Sequence, residues 1–268
     1  MLTTYFKAEL KEQGFVDMDI QYSLSYCQGD GVAFSGNLLN RVSLNKLLPR
    51  LIGELATTNE LEQMAATLMD YRRYEVLCIE RNDHRYSHEY TMFLSNSVEF
   101  SGLIDDMDDQ AGAGVTPEVL ARWDSLWMTF VTRLSADIVR VSKQLRDHGY
   151  AIIENSSRED NVIREFRTRD WVVQFRETPV DLCDFRDWTP EEIKALVDGN
   201  SRLVNLLAVV KTEDGTQLAG EAISGVGYLT TDKTYGGMFR PLCSQAIKEA
   251  RQYAGRLLRS LTPISTAA

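Results

Sequence analysis

The residues best suited to chemistry in this chain are few and scattered. Of three histidines, His84 and His88 stand four apart in the stretch His84-Arg-Tyr-Ser-His-Glu-Tyr90. On a helix that spacing would let both imidazoles hold one metal ion. On a strand it is two full periods, about 13 Å, too far for a shared ion. The flanking residues read as strand, so His84, Tyr86, His88 and Tyr90 are expected on one side of it, as an aromatic contact face. His88 has a side chain suited to general acid–base work, with the aromatic face as the plainer reading. Asp105, Asp106, Asp108 and Asp109 could attract a divalent cation, but they lack the Asp-x-Asp-x-Asp-Gly loop with a distal glutamate and read as a solvated acidic loop. No metal site and no cofactor is expected.

Gln28-Gly-Asp-Gly31 offers Gln28 and Asp30 at an exposed tip as candidate binding residues. The same four residues also suit a tight turn, because glycine and aspartate tolerate positive φ. The turn is the favoured reading. Gly220-Glu-Ala-Ile-Ser-Gly-Val-Gly-Tyr228 is glycine-rich, yet it has the wrong spacing for a P-loop or a dinucleotide fingerprint and no lysine after its glycines. Close packing at a strand end accounts for it. There is no Gly-x-Ser-x-Gly elbow, His-Glu-x-x-His helix or kinase signature, and no catalytic residue is assigned. Cys27, Cys78, Cys183 and Cys243 are far apart, form no Cys-x-x-Cys pair, and are expected to be reduced thiols.

The elements that must position these residues begin with a hairpin. Ile20, Tyr22, Leu24 and Tyr26 alternate with polar residues, the period of a half-buried strand, and after the glycine turn the chain returns through Val32 and Phe34. A short helix over 4–13, stopped by Gly14, precedes it. Residues 43–55 read as a helix interrupted at Pro49, and Asn59 with Glu62 as the capped start of another, with Leu61, Met64 and Leu68 inward. A second hairpin is expected from 74–80 and 84–94. The longest helix starts at Thr116-Pro-Glu118 and carries Leu120, Trp123, Trp127, Phe130, Leu134, Ile138, Val141 and Leu145 inward until His148-Gly149 stops it. Trp123 and Trp127 could anchor a partner, burial being the better reading. Residues 151–154 read as a short strand, 158–167 as a charged helix, 171–175 as a strand, and Thr189-Pro-Glu-Glu192 as a capping box closed by Asp198-Gly-Asn200. Strand, turn, strand and helix follow over 203–211, 212–215, 217–223 and 241–261, the last with Leu242, Ile247, Ala250, Ala254, Leu257 and Leu261 inward.

These elements predict an α+β fold: an antiparallel sheet built from β-hairpins with helices packed on it, one long central helix, and a C-terminal hairpin-plus-helix unit. The expected division is an N-terminal α+β domain over 1–101, an acidic loop over 102–115, a mainly helical segment over 116–200 and a C-terminal ββα unit over 201–268. The formal charge of −10 disfavours the phosphate contacts on which nucleic-acid affinity depends, so direct nucleic-acid binding is not expected. No apolar run approaches the roughly 20 residues that span a bilayer and the N-terminus has no basic-then-apolar leader, so neither membrane contact nor export is expected.

Two stretches carry a resemblance. Gly14-Phe-Val-Asp-Met-Asp-Ile20, followed by Ser25-Tyr-Cys-Gln-Gly-Asp-Gly-Val-Ala-Phe-Ser-Gly36, resembles a motif of bacteriophage and prophage proteins of unknown function. That motif reads Gly-Phe-x-Asp-x-Asp-Ile and then Ser-Gln-Gly-Asp-Gly-Ala-x-Phe-x-Gly. Tyr86-Ser-His-Glu-Tyr90 is similar to a second segment of those proteins, and Ala136–Phe166 to a helical third. Tyr26-Cys27 stands where the family usually has Trp-Ser. The resemblance spans residues 8–170 and implies a viral or mobile-element origin without an established activity. It leads to the expectation of a phage accessory protein in the host cytoplasm that binds and inhibits a host protein, a defence component among the candidates, with a homo-oligomer left open. The alternatives are a small enzyme on a nucleotide or nucleic acid using Asp30, His88 and Glu89, and a structural or assembly protein of the particle.

Overall fold

A computed structural model describes residues 2–27, 29–71, 77–82, 91–95, 99–104, 115–182 and 188–261. The chain divides into two compact units, Leu2–Gly149 and Tyr150–Ala268. The described residues form seven helices and eight strands, with the strands in two antiparallel sheets of four. The α+β class expected from the sequence is the class observed.

In the first unit, α1 (Leu2–Glu12) buries Leu2, Tyr5, Phe6 and Leu10, which recur every three or four residues. Gly14, at φ +98°, ends it in the left-handed region, and the N–H of Phe15 bonds back to the Leu10 carbonyl at 2.8 Å. The expected hairpin follows: β1 (Asp19–Ser23) pairs antiparallel with β2 (Gly31–Asn37), from Asp19 opposite Ser35 to Ser23 opposite Gly31. Next, β3 (Cys78–Arg81) and β4 (Met92–Leu94) pair through Ile79 and Leu94, and β2 joins β3 through Gly36 and Ile79. Both hairpins thus lie in one sheet of order β1-β2-β3-β4.

Three helices of this unit differ in detail from the sequence reading. Pro49 does not interrupt α2 (Arg41–Ile52), which runs on through Ile52 with the Gly53 N–H on the Pro49 carbonyl at 3.0 Å. Helix α3 (Thr58–Tyr71) is capped at Thr57, whose hydroxyl accepts the Glu60 N–H at 3.2 Å, and not at Asn59. Its inner face is the expected Leu61, Met64 and Leu68, all buried. Phe100–Leu103 forms a one-turn helix, α4, with Phe100, Leu103 and Ile104 buried; the four aspartates that follow lie outside the described residues.

Helix α5 (Pro117–Glu154) is 38 residues long, about 57 Å at 1.5 Å per residue. Trp123, Trp127, Phe130, Leu134, Ile138, Val141 and Leu145 are all buried, so the tryptophans are core. The helix does not stop at His148-Gly149. Gly149 is a packing position instead: a Cβ there would lie 2.5 Å from Leu24 Cδ1 and 3.0 Å from Phe6 Cζ. Residues 151–154, read as a strand, are the last turn of α5.

The second unit is a sheet of order β5-β6-β7-β8 with α7 on one face. Residues 158–167, read as a charged helix, include β5 (Asn161–Arg167), paired antiparallel with β6 (Val172–Thr178). The segment expected to be mainly helical therefore contributes half of this sheet. β7 (Ser201–Lys211) is buried on both faces, since the adjacent residues Leu203 and Val204, and Val209 and Val210, are all at 1% exposure or less. Helix α6 (Pro190–Val197) starts with the expected capping box of Thr189 and Glu192. β8 (Gln217–Leu229) is an edge strand with one residue more than β7 at two places, between Val226 and Ile223 and between Ala219 and Gln217. The glycine-rich stretch lies inside β8, where Gly227 sits against Trp188, whose Cη2 would be 2.6 Å from a Cβ. Helix α7 (Phe239–Leu261) buries Leu242, Cys243, Ala246 and Ala250. Leu257, expected inward, is 42% exposed because it lies beyond the part of α7 that buries its apolar face.

Candidate functional site

The motif of the first hairpin places Asp30 at the end of the β1–β2 connection, where its carboxylate is held by the turn itself. Oδ2 accepts the N–H groups of Ser25 at 2.7 Å and Cys27 at 2.9 Å. Oδ1 accepts the hydroxyls of Ser23 at 2.8 Å and Ser25 at 3.1 Å, and the N–H of Asp30 donates to the Cys27 carbonyl at 3.2 Å. A carboxylate that accepts several N–H and O–H groups fixes a loop in the way an Asx-turn does, with stronger bonds because the acceptor is charged. The serines on the sheet side of the motif thus have a mechanical role: they are the donors that fasten Asp30. Of the other candidate binding residues, Gln28, His84, Tyr86, His88 and Tyr90 lie outside the described residues.

Beside this hairpin, where α1 turns into β1, a cleft of about 270 Å³ is lined by Lys7, Lys11, Phe15, Asp17, Met18 and Asp19, with Leu10 at its base. Its aspartates belong to Gly14-Phe-Val-Asp-Met-Asp-Ile20, and Asp17 adopts a φ of +57°, a conformation that aspartate tolerates better than most residues. The four charged residues of the rim are exposed. One wall is fixed from α2, where Lys46 Nζ donates to the Lys11 carbonyl at 2.8 Å. Arg50 lies over the Phe15 ring with its guanidinium carbon 5.8 Å from the centroid. The same guanidinium forks onto the buried carboxylate of Asp137 on α5, with Nη1 on Oδ1 at 3.0 Å and Nη2 on Oδ2. Arg140 adds Nε on Asp137 Oδ1 at 2.9 Å and Nη2 on Gln13 Oε1 at 2.8 Å. Two ammonium and two carboxylate groups around an open cleft suit polar recognition of another molecule; the volume is just under the roughly 300–1,000 Å³ of small-molecule pockets.

Residues 2–147 match the model of a family described as a domain of unknown function, DUF8835. The chain belongs to the DUF8835 family. No curated protein and no solved structure matches it. The family's span ends within two residues of the boundary at Gly149, so the DUF8835 domain is the first compact unit: both hairpins, the Asp30 turn and the charged cleft lie inside it. The sheet of β5 to β8 and helices α6 and α7 follow the matched residues.

Lys7, Lys11, Asp17 and Asp19 of this DUF8835 chain match no catalytic or ligand-binding motif. Asp17 and Asp19 sit in the first motif of the resemblance, which marks them in the sequence. Lys7 and Lys11 lie on the polar face of α1 and carry no further mark.

The unit after the DUF8835 domain has a polar cluster of its own. Tyr228 donates its hydroxyl to the buried Glu177 at 2.7 Å, and Arg202 approaches the other carboxylate oxygen at 3.4 Å. Burial, and then this hydrogen bond to a carboxylate, push the Tyr228 phenol well above its ordinary value. Tyr235 covers the cluster, its ring 5.3 Å from that of Tyr228. Tyr228 and Glu177 are buried and Arg202 is partly exposed, so the pair reads as a structural latch between β6 and β8. Among the described residues no three His, Cys, Asp or Glu side chains are grouped to hold a metal ion, and no helix is long and apolar enough to cross a membrane.

Proposed function

We propose that this DUF8835 protein is a phage-encoded accessory protein that acts by binding a host protein, with a component of an antiviral defence system as its target, in the host cytoplasm. The observation that carries this reading is the use of Asp30. The most distinctive motif of the chain spends its carboxylate on four hydrogen bonds within its own turn, so the motif builds a shape and leaves that acid no free lone pairs for proton transfer. The net charge of −10 and the resemblance of the 14–36 stretch to phage proteins support the same reading. The enzyme alternative relied on Asp30 as a reacting group and loses its first residue.

The test is recovery of the tagged full-length protein from host cells that carry a defence system and are challenged with phage, with bound proteins quantified by mass spectrometry and plating efficiency measured in parallel. One host protein retained in near-stoichiometric amount, together with a rise in plating efficiency, is the expected result. Retention of no host protein and unchanged plating would overturn the proposal.

A further inference from the structure

Helix α7 carries one apolar stripe from Leu242 to Leu257, and only its first half is buried. Leu242, Cys243, Ala246 and Ala250 are buried in the core formed with β6, β7 and β8. Tyr253 and Leu257 continue the same line at three- and four-residue spacing, each 42% exposed, and the neighbouring Leu258 is 68% exposed. From Arg251 to Ser260 every side chain is exposed apart from the half-buried Ala254 and Gly255. From Ala250 to Leu257 the stripe thus runs about 10 Å past its last buried residue.

The charged residues on the exposed half itself are all of one sign. Arg251, Arg256 and Arg259 lie in this stretch, and the last acidic residue before it is Glu249. Among the described residues none of the three arginines forms an ion pair; Arg259 donates Nε to the Gly255 carbonyl at 3.1 Å. This basic, amphipathic helix end is opposite in sign to the chain's net charge of −10, and such an end is read by complementary charge.

We propose that Arg251–Leu261 is a docking helix for an acidic amphipathic segment of a partner protein, which would lay apolar side chains on Tyr253 and Leu257 and carboxylates on the arginines. This rests on the reading of the protein as a binding protein. Pairing with a second copy through the same face would bring two sets of three arginines together, which opposes it. An anionic bilayer would attract the helix end and repel the acidic remainder of the chain, whereas a protein segment need be acidic only where it touches.

The experiment uses the full chain in host cells with a benzophenone amino acid in place of Leu257, and in a second strain in place of Val139, an exposed residue of α5. The expected result is a covalent adduct from position 257 and none from 139. Peptide mapping should put the attachment in a segment of net negative charge with apolar residues three and four apart. Combining Arg251→Glu, Arg256→Glu and Arg259→Glu should cut the adduct yield at least five-fold while the circular dichroism stays unchanged. An adduct with a second copy, with lipid, or with a neutral or basic segment overturns the proposal. So does a host protein that co-purifies but is never captured from 257, a result that leaves the proposed function standing. If no host protein co-purifies at all, both fall together.

Discussion

Gly149 and Leu24 are packed so closely that a Cβ on the glycine would lie 2.5 Å from Leu24 Cδ1. In an exposed helix interior, glycine to alanine gains up to about 1 kcal/mol. At Gly149 the added carbon must displace Leu24 and Phe6, an overpacking cost of about 1–3 kcal/mol that outweighs the gain. Gly255 in α7 has nothing within 4 Å of the Cβ position. Gly149→Ala is therefore expected to lower the urea midpoint and Gly255→Ala to raise it, at unchanged m-value. A rise in both would mean that Leu24 and Phe6 repack freely.

Asp30→Ala removes the acceptor of two N–H groups and two hydroxyls at the end of the first hairpin. The turn is half-exposed, so water replaces part of what is lost, and a destabilisation of about 1–2 kcal/mol is expected. Amide hydrogen exchange at Ser25 and Cys27 should accelerate at least ten-fold, because both N–H groups lose their partner. Unchanged protection at these two amides would show that the carboxylate is not what holds the turn.

Alkaline pH should weaken the second unit through two buried groups. Burial raises the Cys243 thiol above its ordinary value, with Arg164 opposing; burial and Glu177 raise Tyr228. In both cases the folded pKa lies above the unfolded one. The stability contribution is full below the unfolded values, about 8.5 for cysteine and about 10 for tyrosine, and is lost as pH rises through the folded values. The urea midpoint is expected to fall above pH of about 8.5 and more steeply above about 10. Cys243→Ala should flatten the lower part of that slope and Tyr228→Phe the upper part. A flat profile in the unaltered protein would refute the assignment.

What the sequence revealed, and what it hid, follows from where the apolar residues sit. Alternation from Ile20 and the three-four repeat from Trp123 to Leu145 each have one periodicity available, and a hairpin and a long helix form there. The hairpin's first strand ends at Ser23, earlier than the alternation predicts, with Tyr26 at φ +60° and 53% exposed. β5 was missed because it is an edge strand whose Val162 and Phe166 are exposed at 46% and 38%, so no buried face writes a period of two into 161–167. The end of α5 was missed because glycine signals both a stop and a close approach, and only the position of Leu24 decides between them. For the site, the sequence favours a turn at Gln28-Gly-Asp-Gly31, and the Asp30 carboxylate accepts four hydrogen bonds within that turn. It missed the cleft, because Lys7 and Lys11 meet Asp17 and Asp19 only after Gly14 folds the chain back.

The two extra residues of β8 have a consequence for how this protein behaves in concentrated solution. A thirteen-residue edge strand with an unbroken ladder would be a flat template on which the sheets of other molecules could add and grow. Each local insertion bends the strand and breaks its repeat, so an incoming strand could match only a few residues before losing register. The irregularities in β8 therefore act as a guard against fibre growth.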